Sequence, residues 1–157
     1  MMDPEIIEFL EESNGIEGVY GAEPLRQAMI AWEYLFEQEK LTTGVVRKTH
    51  KILMIGQPGL LPDERGYFRH VDVFVGMHKG VPPHLIDIFI SSWVERMNAP
   101  EHDWKTLHVE YEKIHPFVDG NGRTGRMFMN WGRLKRCKLP ALTIFEMEKG
   151  DYYSWFK

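Results

Sequence analysis

Apolar residues recur at three- and four-residue spacing through most of this chain, the period of a helix packed along one side, and that pattern limits the fold to a helical bundle. Asp3 can cap a first helix with Pro4 at its opening position, and Ile6, Phe9 and Leu10 form its apolar stripe until Gly15 or Gly18 ends it. Pro24 opens a second, carrying Leu25, Ala28, Met29, Trp32, Leu35 and Phe36 on one side. Thr42 or Thr43 starts a third through about Ile55, where Gly56, Pro58 and Gly59 stop it. After Pro82 and Pro83, Leu85, Ile88, Phe89, Ser92 and Trp93 share a helical face. A helix from Glu101 to Ile114 aligns Trp104, Leu107, His108 and Tyr111, and a long one runs from Asn121 or Gly122 to before Pro140.

One stretch departs from this period. Between Gly66 and Gly80, Val71, Val73 and Val75 alternate with Asp72 and Phe74, which predicts a short β-hairpin over about 66–80. The expected architecture is all-α, a helical bundle carrying one hairpin.

With 157 residues and 43% apolar content, the sequence predicts a single domain over 1–157, with no internal repeat or low-complexity linker. A formal charge of -4 disfavours a general polyanion binder, so nucleic acid is not an expected partner. A single cysteine, Cys137, suits a reducing compartment. The acidic opening MMDPEIIEFLEES does not resemble a secretory signal, and no apolar run approaches membrane-spanning length. The expectation is a cytoplasmic protein without a membrane partner.

Chemistry concentrates in HPFVDGNGRTGR, residues 115–126. A helix beginning near Asn121 leaves several backbone N–H groups free, and these favour an anion. Gly120 and Gly122 allow a tight turn and a close approach of phosphate to the main chain. Arg123 and Arg126 lie three apart, so both guanidiniums can reach one side of that turn. Asp119 offers a hard oxygen ligand suited to magnesium shared with substrate phosphates. His115 can accept a proton from an attacking hydroxyl, while Phe117 points inward and anchors the loop. Together these parts describe in-line attack on a metal-bound nucleotide phosphate.

The same stretch resembles the Fic family signature H-x-F-x-[D/E]-G-N-G-R-x-x-R at every fixed position: His115, Phe117, Asp119, Gly120, Asn121, Gly122, Arg123 and Arg126. The resemblance implies a helical Fic domain with a hairpin flap upstream of the motif, its edge of Val71, Val73, Phe74 and Val75 docking a target segment by strand addition. It also implies transfer of AMP from ATP to a Ser, Thr or Tyr hydroxyl of a target protein or of the enzyme itself. His115 would be the general base, Asp119 the magnesium ligand, Gly120 to Gly122 with the Asn121 side chain the cradle of the transferred phosphate, and Arg123 and Arg126 the partners of the β and γ phosphates. Phosphotransferring Doc-like relatives carry Lys in place of Gly122 and lack the second arginine, which weighs against a kinase reading.

SNGIEG, from Ser13 to Gly18, is similar to the inhibitory motif [S/T]-x-x-x-E-[G/N] of the same family. By that resemblance residues 10–20 form an N-terminal inhibitory helix whose Glu17 pairs with Arg126 and keeps ATP out of a productive pose. Gly15 inside that helix would soften it by about 1 kcal/mol relative to Ala. A glutamate so placed could alternatively orient water and support removal of AMP from a modified protein. A third alternative is a nucleotide-sensing or partner-binding module without catalysis. The basic run Arg133, Lys135, Arg136 and Lys138 reads as a solvated helix face, and His50, His70, His78, His84, His102 and His108 lack metal-ligand spacing.

Overall fold

The computed structural model describes residues 1–157 and is all-α apart from one two-stranded hairpin. Helices α1 (Pro4–Ile16), α2 (Ala22–Phe36) and α3 (Thr43–Leu53) lead to the short strands β1 (Phe74–Val75) and β2 (His78–Lys79). Helices α4 (Ile86–Met97), α5 (Trp104–Ile114), α6 (Asn121–Lys135) and the short α7 (Lys149–Tyr153) follow. No helix is long and apolar enough to cross a membrane.

Local chemistry sets the helix ends. Asp3 accepts from the Glu5 N–H, Thr42 from the Val45 N–H and Asp103 from the Thr106 N–H, each satisfying a donor with no helical partner. Asp103 moves the start of α5 three residues beyond the Glu101 expected from periodicity. Helix α2 begins two residues before Pro24, which sits inside its first turn where a missing N–H costs nothing.

One helical face differs from expectation. In α4 the buried residues are Ile86, Ile90, Trp93, Val94 and Met97, whereas Ile88 and Phe89 face outward. The tight 3-10 turn Pro83–Leu85 rotates the entry into α4, and Trp93 fixes the register by donating from Nε1 to the Leu107 carbonyl in the core.

The expected hairpin is shorter than its alternation. Its strands pair antiparallel as Phe74 with Lys79 and Val75 with His78, around a two-residue turn in which Gly76 takes φ +62°. Val71 and Val73 lie outside the strands. The Val71 carbonyl is captured by Arg69, and Val73 keeps only one flanking bond, from the Gly80 N–H.

Helix α6 runs through the middle of the molecule with Arg123 to Arg133 all buried, although it is rich in polar side chains. Phe128 and Trp131 join Trp93, Tyr111 and Phe117 in the main core, each burial worth about 1.5–3 kcal/mol. Polar residues of α6 find partners inside: the Asn130 amide bridges the Leu142 N–H and carbonyl, although Arg123 Nε has none. Of the basic run at its end, Lys138 is exposed, but Arg133, Lys135 and Arg136 are not a solvated face. Arg133 lies 4.4 Å over the Trp104 ring and donates to the Pro140 carbonyl, Arg136 stacks on Trp131 and donates to the Asn98 carbonyl, and Lys135 pairs with Glu39. These cations staple loops to the bundle.

Candidate active site

His115 ends α5 in the left-handed region, φ +51°, uncommon for a residue with a side chain. Two contacts hold it there. Its N–H donates to the Tyr111 carbonyl, and Arg69 donates to its carbonyl at 2.6 Å. Arg69, 2% exposed, also donates to the carbonyls of Ile114, Val71 and Val81, so it satisfies the open end of α5 and ties it to both flanks of the hairpin. The His115 Nδ1 faces the Glu112 carbonyl at 3.3 Å, which places the proton on Nδ1 and leaves Nε2 as the basic nitrogen. Burial lowers its pKa, opposed by that backbone bond and by the charges of Glu17 and Asp119.

The loop after His115 is locked from within. The Asn121 side chain accepts from the Phe117 N–H and donates to the Phe117 carbonyl. Its amide is therefore committed to holding the loop closed rather than free for a phosphate. Phe117 is fully buried and stacks on the His50 ring at 3.7 Å. His50 Nδ1 accepts from the Gly66 N–H and its Nε2 donates to the Asp119 carbonyl, joining two loops. Thus a histidine that spacing assigned to no site is a buttress of this one.

Gly120, φ +84°, precedes α6 without a side-chain cap, and the N–H groups of Asn121, Gly122 and Arg123 open the helix unpaired. A Cβ at Gly120 would meet the Met54 sulfur at 2.7 Å. At Gly122 a Cβ would overlap Glu17 Oε1 and lie 3.0 Å from Arg126. Gly120 requires glycine for conformation and space, whereas at Gly122, where the backbone is helical, a Cβ fits only if the Glu17 carboxylate moves.

The two arginines diverge. Arg126 is 1% exposed and turned toward α1, where Nε donates to Ser13 Oγ at 2.7 Å and one terminal nitrogen donates to the Ser13 carbonyl at 3.0 Å and to Glu17 Oε1 at 2.8 Å. Its other terminal nitrogen reaches the Tyr152 hydroxyl, whose ring it also faces. Arg123 turns the other way, to Gln57 Oε1 and to Asp119 Oδ2 at 3.8 Å. The expectation that both reach one side of the turn is corrected: intramolecular partners on opposite flanks separate them.

Ser13, Glu17 and Gly18 lie together, but the helix is Pro4–Ile16 rather than 10–20. Glu17 is the residue that caps its end, and Gly18, φ +69°, turns the chain away. At Gly15 a Cβ would come within 2.7 Å of Glu146 Oε2, so a side chain there would push that flexible carboxylate aside. Tyr20 donates to that Glu146 carboxylate and reaches the Gly15 carbonyl, clasping the end of α1.

A cavity of about 540 Å³ opens over the site, walled by Glu17, His115, Gly122 and Arg126, by Val75 to His78 of the hairpin, and by Tyr152, Tyr153, Phe156 and Lys157. Val71 and Phe74 lie outside its wall and face outward, and neither Asp119 nor Arg123 is part of that wall. The spacing reading found no element after Pro140, so it missed α7. Only the aromatic run from Tyr152 to Phe156 signals packing there. No three His, Cys, Asp or Glu residues converge on a metal. Asp119, with an exposed carboxylate bonded to its neighbour's N–H, is a single hard ligand and fits magnesium only as an ion shared with phosphates.

Residues 40–132, more than half of the chain, match the family model Fic/DOC. The chain belongs to the Fic/DOC family. Within that family it is 40% identical over 106 residues to the protein adenylyltransferase Fic of Drosophila melanogaster, a match covering 61% of this chain and 21% of that protein. It thus spans about a fifth of the curated relatives' length. Two solved structures share the Fic/DOC fold. A Fic domain containing signaling protein from Bacteroides thetaiotaomicron matches with a TM-score of 0.78 and 21% identity, over 94% of this chain and 69% of the other. A Fic family protein from Desulfovibrio desulfuricans matches with a TM-score of 0.75 and 26% identity, over 97% and 57%.

Proposed function

We propose that this chain is a protein adenylyltransferase, moving AMP from ATP to a hydroxyl side chain of a target protein, and that Glu17 restrains it. The observation that carries this reading is the juxtaposition of a half-buried histidine, its Nδ1 committed to a carbonyl, with a glycine-opened helix start and a buried arginine around one nucleotide-sized cavity.

On this reading His115 Nε2 takes the proton from the target hydroxyl as its oxygen forms a bond to the α-phosphorus of ATP. The bond to the bridging oxygen breaks, and pyrophosphate leaves. The N–H groups of Asn121, Gly122 and Arg123 take up the charge on the non-bridging oxygens. Arg126 holds the γ end, and Arg123 swings away from Gln57 to reach the β-phosphate. Magnesium, when bound with the nucleotide at Asp119, supplies charge neutralisation. The outward-facing edge of Phe74 offers the target a strand partner, and Val75 turns toward the nucleotide.

Glu17 occupies the Arg126 donor that a γ-phosphate needs. A preference of about 2–3 kcal/mol for this closed arrangement leaves a few percent of molecules competent. Release of AMP from a modified target is the second reading, favoured by the half-open position of the Glu17 carboxylate, 34% exposed, at the cavity wall.

Incubation with labelled ATP separates the two. Glu17→Gly should raise labelling of itself and of lysate proteins by more than tenfold if the residue restrains transfer, about 1.4 kcal/mol or more. Loss of AMP release from pre-modified target, with no gain in labelling, would replace the first reading by the second. Absence of both activities would leave neither.

A further inference from the structure

Helix α5 carries a second carboxyl into this cavity, one turn before His115. Glu112 is 7% exposed and lines the same wall as Glu17, His115 and Arg126. Room for it comes from Gly125, where a Cβ would lie 2.7 Å from Glu112 Oε1. No donor reaches that oxygen. A buried carboxyl with an unpaired oxygen is costly when ionised, so its protonation state depends on the charges around it.

Those charges can be named. Glu17 faces Glu112 from the end of α1, Arg126 from α6, Tyr152 and Tyr153 from α7, and His108, Tyr111 and His115 from its own helix. The phenols are pushed up by burial and remain neutral, and burial holds His108 at about 3, also neutral. His115 is held below its ordinary value. Lys157 and His78 line the cavity from its exposed rim, which leaves Arg126 as the one buried cation between the two carboxylates. Arg126 gives its hydrogen bond to Glu17, and Glu112 receives none. Burial pushes the Glu112 carboxyl up to about 7, with Arg126 pulling it down and Glu17 pushing it further up.

We infer that Glu112 is a proton-coupled positioning residue: an anion on the outer face of Arg126, whether Glu17 or a nucleotide phosphate, is held together with a proton on Glu112. When that anion departs, Glu112 releases its proton to solvent and becomes the counter-charge that keeps Arg126 from standing alone in a dry pocket. The Glu17 half of this exchange stands on the closed geometry alone, and the phosphate half rests on the function proposed above. The sign follows from linkage. An anion raises the Glu112 pKa, so anion affinity is full below the resting value and is lost as pH rises through the occupied value. Alkaline conditions therefore loosen both the restraint and the nucleotide.

Two measurements test this. In the ligand-free protein, carbon-13 NMR of glutamate carboxyls, with Glu112 assigned by its disappearance in Glu112→Gln, should show it titrating near neutrality and shifting to lower pH in Glu17→Gly. Titration in the ordinary carboxylate range, or a midpoint indifferent to Glu17, overturns the inference. Calorimetry of Mg-ATP binding in buffers of differing ionisation enthalpy then compares Glu17→Gly with the double variant Glu17→Gly, Glu112→Gln. The first should take up as much as one proton and lose up to about tenfold affinity per pH unit relative to the second above its resting pKa. Equal proton uptake in the two variants also overturns it. If Glu17→Gly binds no Mg-ATP at any pH, the transferase reading fails, and the ligand-free titration decides the role of Glu112 by itself.

Discussion

Arg69 donates from Nε to the main-chain carbonyl of His115 at 2.6 Å, so the residue that fixes the candidate base comes from a loop 46 positions earlier in the chain. Replacing it by methionine leaves carbonyls of Ile114, His115, Val71 and Val81 without their donor. Arg69→Met should cost about 2–4 kcal/mol of stability by thermal denaturation. In the Glu17→Gly background it should lower kcat for AMP transfer by about tenfold to a hundredfold with a smaller change in KM for ATP, because the defect lies at the base and not at the triphosphate.

Gly122 leaves no room for a methyl beside Glu17 and Arg126. Gly122→Ala should displace Glu17 yet also crowd the phosphate cradle. Labelling with ATP should stay low in this variant and in its combination with Glu17→Gly, and ATP affinity measured by calorimetry should fall by about tenfold or more.

Two neutral buried histidines predict an acid weakness. Burial holds His50 at about 4 and His108 at about 3, against about 6.5 in an unfolded chain. Both folded values are depressed, so the unfolded chain takes up protons first, and stability full above about pH 6.5 is lost progressively as pH falls toward 4. The loss should reach roughly 1–2 kcal/mol per histidine near pH 5, read from urea midpoints across pH. His50→Gln should flatten part of that slope.

His115 is also lowered, so the acid limb of transfer by Glu17→Gly should fall below pH about 6.5, with the base active above it. His115→Ala should lose about a hundredfold to ten-thousandfold in rate while still binding ATP, which a filter-binding assay can check.

Tyr20 and Glu146 clasp the end of α1 from outside the cavity. Tyr20→Phe should loosen Glu17 without touching the base or the cradle, raising basal labelling by about two- to fivefold. An effect as large as that of Glu17→Gly would mean the clasp, and not the carboxylate, is the restraint.

Helix identities and the cluster at 115–126 were legible because both are local: apolar period, capping residues and a twelve-residue run carry them. What spacing hid is non-local. His50 and Arg69 support the motif through backbone carbonyls, to which no sequence pattern points. The inward face of α4 follows from a 3-10 turn before it, and the separation of Arg123 from Arg126 follows from Gln57 and Ser13, far away in sequence. The true hairpin is shorter than its valine alternation because Arg69 takes the carbonyl of Val71.

Ser13 grips Arg126 through both side chain and carbonyl, whereas Glu17 touches it from the half-open capping position just past the end of the same helix. The arginine can thus stay anchored while the carboxylate alone swings aside. On the proposed reading, a resting output governed by one hinged side chain is adjustable in small increments, so single exchanges around Gly18 would retune it with the scaffold beneath left as it stands.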